Sequence, residues 1–197
     1  MPKITAIINA LDAIAEYSGR MVSWLVLLLV FLTLIITIPR YLLSNEWFLS
    51  LNLFYIDWQS VRTFYSHNVN ALSDSTLFVH AVIFMVGISY ALKTGDHVRI
   101  DILYQHMSER RRAWVNILGI LLLFLPTFGF ILISSWPYVV NSWAIMEGSS
   151  RPGGLPVIYI LKSLLIIMPV LMILQGTAML LRSIQTLRSG QTLVDNA

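Results

Sequence analysis

The chain has 197 residues, 57% of them apolar and only 12% charged, whereas soluble domains carry roughly 45–50% apolar residues and about a quarter charged ones. So few charges cannot cover a water-exposed surface of this size, so lipid must solvate much of the molecule. Its net charge of +3 is carried by cations that flank apolar runs, a pattern of topology determinants and lipid-headgroup contacts rather than of nucleic-acid binding, and the absence of cysteine excludes disulfides, zinc thiolates and iron–sulfur clusters.

Residues 1–19 predict an interfacial amphipathic helix. Ile4, Ile7, Ile8, Leu11 and Ile14 share one face and Asn9, Asp12 and Glu16 the other, as in a helix lying on the inner membrane surface. Lys3 is the sole early cation and no small-x-small cleavage site follows, so the next apolar run is expected to be a retained anchor rather than a secretory signal. That run, Met21 to Ile38, predicts the first transmembrane helix over 21–39, ended by Pro39.

An outer aromatic segment follows over 40–70. Trp47, Leu51, Phe54, Trp58, Val61 and Tyr65 keep a 4-3-4-3-4 spacing, and amphipathic rings favour the headgroup level. The segment reads either as an aromatic belt or as a docking surface for a partner subunit. The second span is predicted over 71–92, with Gly95 as its left-handed C-cap. A cytoplasmic loop over 93–113 leads to a third span over 114–140, where Pro126 should kink the helix. After an outer loop, 141–154, the fourth span is predicted over 155–183, with Pro156 in its first turn and Pro169 bending its middle. A tail, 184–197, completes what reads as one membrane domain. Each run is long enough for a hydrocarbon core of about 30 Å, and helices are required because a lone span must satisfy its own backbone hydrogen bonds.

Cations orient this all-α, four-span protein. Lys3, Arg20, Lys93, Arg99, Arg110, Arg111, Arg112, Arg182 and Arg188 fall on one side; Arg40, Arg62 and Arg151 fall on the other. The bias places both termini in the cytoplasm.

Ionisable groups at membrane depth are functional candidates, because burying one costs several kcal/mol. Here they are Asp74, His80 and Lys162, joined by the polar Gln175. Asp74 and Lys162 lie near the outer ends of their spans, where they reach the interface, pair locally or pair with each other. His80, alone on an apolar helix, is expected in a hydrogen-bonded packing role. Haem ligation between two helices would need a second histidine at similar depth, and His67, His97 and His106 all lie in predicted loops. No HExxH, GxSxG or P-loop pattern is present. The chain is not expected to be an enzyme or to hold a metal or cofactor.

Two loops carry specific patterns. Gly95, Asp96, His97, Arg99 and Asp101 form a compact charged turn ahead of Arg110–Arg112. Glu147-Gly-Ser-Ser-Arg-Pro-Gly-Gly-Leu-Pro156 is a stiff turn before the fourth span. It is either a simple connector or an exposed element touching a partner through Glu147, Arg151, Pro152, Gly153 and Gly154.

Gly95–Asp101, the Arg-rich turn with Trp114, Ser149–Pro156, Lys162 and Gln175-Gly176 together resemble the small permease subunit of the tripartite ATP-independent periplasmic (TRAP) transporters. The resemblance covers roughly residues 15–185 in span order. It implies a scaffold subunit in a bacterial inner membrane, beside a large multi-span permease that holds the substrate and sodium sites. It further implies a periplasmic binding protein delivering organic anions such as carboxylates. These spans lack the broken helices and inward polar groups of a complete carrier, which agrees with a helper role. The rival reading is a free-standing four-helix membrane protein, such as an assembly factor or a small channel; a channel needs a polar pore lining, and these spans provide little.

Overall fold

A computed structural model describes residues 2–50, 56–94 and 107–189. The charged turn Gly95–Asp101 lies outside these residues. Within them the chain is helical and has no strand: α1 (Pro2–Leu43), the short α2 (Glu46–Ser50), α3 (Trp58–Thr94), α4 (Glu109–Ala144) and α5 (Ile158–Ser189). The four long helices are each apolar and long enough to cross a membrane. This is the predicted all-α, four-span class.

The boundaries differ from the sequence reading where local hydrogen bonding keeps a helix going. The predicted interfacial helix 1–19 and first span 21–39 are one continuous helix of 42 residues. Ser18 and Ser23 donate back to the carbonyls of Ala15 and Gly19, and a β-carbon on Gly19 would collide with the Tyr90 ring. The glycine is therefore a packing site within the helix, not its end. The described part of the outer segment 40–70 is likewise absorbed, while Leu51 and Phe54 lie outside the described residues. It supplies the last turn of α1, then α2, then the first turns of α3, which Asp57 caps by accepting from the Gln59 N–H at 3.1 Å and from the Ser60 hydroxyl at 2.5 Å. The Ser60 hydroxyl, ahead of the backbone donors, holds the Asp57 carboxyl below its ordinary value.

In α4 the break falls just ahead of the predicted proline. Ile120–Phe124 form one wide π turn immediately before Leu125 and Pro126. Pro126 has no N–H to donate and its ring crowds the carbonyl four residues back, so the turn widens where that carbonyl sits. Pro156 does not enter α5, whose first residue is Ile158.

α5 is the central helix. A third of its most apolar window is buried, against 11% in each of the other three. Leu164, Pro169, Met172, Gln175, Ala178 and Ser183 run along it as a buried stripe at helical spacing. α3 packs on α5 and on α1, and α4 packs on α5. Small residues set the close approaches: Gly19 beneath Tyr90, Ser18 beside Ser89 at 3.4 Å, and Gly176 beneath Phe124. Between lipid-solvated helices there is little hydrophobic drive, so such close packing supplies much of the attraction.

The outward surface is apolar. Trp24, Leu27, Phe31 and Leu34 of α1 and Leu122, Leu123, Phe130 and Ile133 of α4 are exposed. The predicted faces of residues 4–16 are only partly kept: Asn9 is exposed and Ile8 is buried, but the apolar set is split and Asp12 turns inward. Ile7 and Ile14 point outward, while Ile8, Ala15 and Asp12 face the bundle.

Candidate functional site

The polar side chains collect at two levels. Lys162 and Arg182 mark them on α5, twenty residues apart, about 30 Å along a helix and thus about one hydrocarbon thickness. The loop joining α4 to α5 forms the first level. The tail end of the bundle, where α1 begins and α5 finishes, forms the second.

At the loop level, residues 145–157 fold back as a clasp over α3. Met146 adopts φ 46 as the chain leaves α4. The Glu147 N–H donates to the Ser142 carbonyl at 3.1 Å, and the Ser149 N–H to the Leu155 carbonyl at 2.9 Å. The Gly154 N–H then closes a tight turn on the Arg151 carbonyl at 3.0 Å. Gly153 sits at φ +69, a left-handed conformation that disfavours a β-carbon. Gly154 lies against both Ser149 and Asp74, with no room for a side chain.

Asp74 anchors this clasp. It is 3% exposed; its Oδ2 accepts the Leu155 N–H at 3.0 Å, and its Oδ1 lies 3.6 Å from the Arg151 guanidinium. One turn earlier on α3, the Asn70 amide donates to the Pro152 carbonyl at 2.9 Å. Two side chains of one helix thus hold the backbone of the loop.

Lys162 does not pair with Asp74. Its ammonium donates to Glu147 at 2.5 Å and lies 4.1 Å from the centre of the Tyr138 ring. The buried Ser142 hydroxyl donates to the same Glu147 oxygen at 2.7 Å. Lys162 first, and then Ser142, hold the Glu147 carboxyl below the ordinary carboxylate range. Nearby, the Trp143 indole N–H donates to the Ser163 hydroxyl at 2.8 Å, and its ring meets Tyr159 edge to face. Glu147 and Lys162 therefore join α4 to α5, while Asp74 and Arg151 join the loop to α3.

At the tail level, Arg182 donates to Asp12, which also accepts from the Gln175 amide at 3.3 Å. Gln175 is 1% exposed, and its carbonyl oxygen has no hydrogen-bond partner. Lys93 donates to Glu16 at 2.8 Å, and Arg20 pairs with the same carboxylate. These contacts tie α1 to α3 and α5.

The structure thus brings the sequence candidates into two separate clusters. Of the loop residues, Arg151, Pro152 and Gly153 are exposed, Gly154 is partly covered, and Glu147 is engaged inward. His80 departs from the expected hydrogen-bonded packing role: it is exposed and stacks on Phe84. Sequence reasoning missed Asn70, Ser142, Asp12 and Arg182 as partners. Asp12 was legible only as one polar residue among several on a predicted surface face. Among the described residues no cluster of histidines and carboxylates could hold a metal ion.

The arrangement defines an integral membrane helical bundle in which the intramembrane polar groups lock helices and a loop together. A family model described as the DctQ component of tripartite ATP-independent periplasmic transporters matches residues 58–186. The chain belongs to that family and is the small subunit of a TRAP transporter. The match runs from the first residue of α3 into the end of α5, so α1 precedes it. No curated protein and no solved structure matches the chain.

Proposed function

We propose that this subunit is a static scaffold in a sodium-coupled secondary transporter of a bacterial inner membrane, importing organic anions such as carboxylates. In this reading the large permease subunit binds sodium and substrate and seats on the exposed apolar helix faces. A periplasmic binding protein delivers the anion to the loop side. Both termini lie in the cytoplasm, the side on which the cations concentrate. The observation that carries the reading is the family match over residues 58–186. The side-chain chemistry supports it: Asp74, Glu147 and Lys162 are all engaged in joining elements of this chain, which suits a rigid support better than a moving carrier.

The receptor-facing surface is the turn containing Arg151, Pro152 and Gly153, which is exposed yet held rigidly from below by Asn70 and Asp74. Co-expression with the large permease and the binding protein tests the assignment. The three should reconstitute sodium-gradient-driven uptake in proteoliposomes, and omission of this chain should abolish it. A bulky maleimide on Ser150→Cys should raise the receptor concentration needed for half-maximal uptake while leaving sodium dependence unchanged. Full uptake without this chain would sink the scaffold assignment; altered sodium dependence would show that it lines the transport path.

A further inference from the structure

Beside the loop clasp, a groove on the open side of α3 is lined by Ser73, Thr76, Leu77, His80 and Arg151. Its polarity changes along its length. Arg151, 57% exposed, lies at the loop end, its guanidinium meeting Asp74 only at 3.6 Å. His80 lies six residues below Asp74 on α3, about 9 Å along the helix. Leu77 and Phe84 are exposed beside it, with the imidazole stacked on the Phe84 ring at 4.7 Å.

An exposed imidazole on an apolar, membrane-level face needs a polar partner from outside the chain, because an unpaired polar group in hydrocarbon costs several kcal/mol. The Ser73 and Thr76 hydroxyls donate to Val69 and Leu72 carbonyls, so their oxygens remain as acceptors. The groove therefore offers a guanidinium donor at headgroup level beside Asp74, the Ser73 and Thr76 hydroxyl acceptors near the same level, an imidazole donor one to two turns deeper, and apolar surface from Leu77 beside it and Phe84 below it. From the membrane surface inward a phospholipid presents a polar headgroup, an anionic phosphate, glycerol-ester carbonyls and then acyl chains, so a phosphate held at Arg151 brings an ester carbonyl toward the depth of His80.

We propose that this groove is a binding site for one phospholipid of the leaflet at the loop end. Its phosphate accepts from Arg151, a glycerol-ester carbonyl accepts from His80, and one acyl chain lies along Leu77 and Phe84. Charge complementarity selects the lipid over an apolar partner helix, which would leave both donors unpaired. The lipid thereby extends the clasp, since Arg151 bridges the loop to α3 and to the membrane surface. The site shares Arg151 with the loop surface assigned above to the receptor, but its test needs neither receptor nor transport.

The test uses the full chain in nanodiscs of phosphatidylethanolamine and phosphatidylglycerol, doped with phosphatidylglycerol bearing a diazirine in one acyl chain. After irradiation, crosslinks should concentrate on the segment from Thr76 to Phe84, roughly tenfold above the exposed face of α1 near Phe31, the factor expected for one charge-assisted hydrogen bond. Diacylglycerol carrying the same photoreactive chain, but no phosphate, should label both faces alike. His80→Phe combined with Arg151→Gln should lower the phosphatidylglycerol labelling to that background, with a retained cooperative melt as the control that it still folds without the Arg151–Asp74 pair. Equal labelling by the two probes, or no loss in a folded double variant, would show annular lipid only and overturn the site. Loss of labelling in the complex co-purified with the large permease would assign the groove to a partner segment and overturn it equally.

Discussion

A β-carbon on Gly154 would collide with the Ser149 hydroxyl and lie 2.5 Å from Asp74 Oδ2, so the loop closes onto α3 only with glycine there. Gly154→Ala should displace the Asp74 carboxylate from the Leu155 N–H and cost about 1–3 kcal/mol, the penalty of leaving a buried acceptor unpaired. Gly153→Ala, strained by its φ of +69, should cost about 1 kcal/mol. Thermal melts of the purified variants check both; equal melting temperatures for wild type and Gly154→Ala would show that the clasp is loose. Glu147 makes stability depend on pH. Its carboxyl titrates below the ordinary range because Lys162 and Ser142 hold the charged form. The unfolded chain thus binds the proton more tightly, so this contribution is complete above the ordinary carboxylate value and lost as pH falls through the depressed one. Melting temperature should therefore drop in acid, and Glu147→Gln should flatten that part of the curve. An unaltered acid slope in the variant would assign the loss to other groups.

At the scale of elements, the π turn and the central helix fit as one unit. Widening the turn at Ile120–Phe124 sets the Phe124 ring over Gly176, where a β-carbon would lie 2.5 Å from its Cε1. Gly176→Ala should overpack this crossing and cost about 1–3 kcal/mol. Phe124→Leu in the same chain should recover part of the loss, because the shorter side chain leaves room, and the two changes should couple in a double-mutant melt. Strict additivity would mean that the ring does not bear on the glycine. Pro126 was legible in the sequence as a site of irregularity, but the form of the irregularity was not. A proline removes a donor wherever it stands; whether the helix kinks or widens depends on what packs against that turn. The same holds for α1, where nothing in Ser18-Gly19-Arg20 reveals that Tyr90 covers the glycine.

For the whole molecule, two polar levels about 30 Å apart match the thickness of a hydrocarbon core. Four long helices joined end to end place residues 108 and 189 at one end and residues 60 and 150 at the other. With the cation bias setting the orientation, cysteines at Ser60 and Ser150 should react with an impermeant thiol reagent in intact cells. Cysteines at Ser108 and Ser189 should react only after permeabilisation. Labelling of Ser108 from outside would invert the orientation and with it the placement of the receptor surface.

The sequence by itself determined the class: four apolar runs of spanning length, helical because lipid offers no partner to an open backbone, with loop cations biased to one side. It also marked Asp74, Lys162, Gln175 and the Pro-Gly-Gly turn as unusual, since polar groups and glycines stand out against apolar surroundings. Only the tertiary structure decided their partners. Asp74 meets the Leu155 backbone and Arg151, Lys162 meets Glu147, and Asp12 turns inward to Arg182 and Gln175. Hydropathy is a local property, and in a bilayer the lipid-facing and core-facing sides of a helix are both apolar. The periodicity of apolar residues therefore does not distinguish inside from outside, and the pairing of each charge is set by which helix stands beside it, and at what depth.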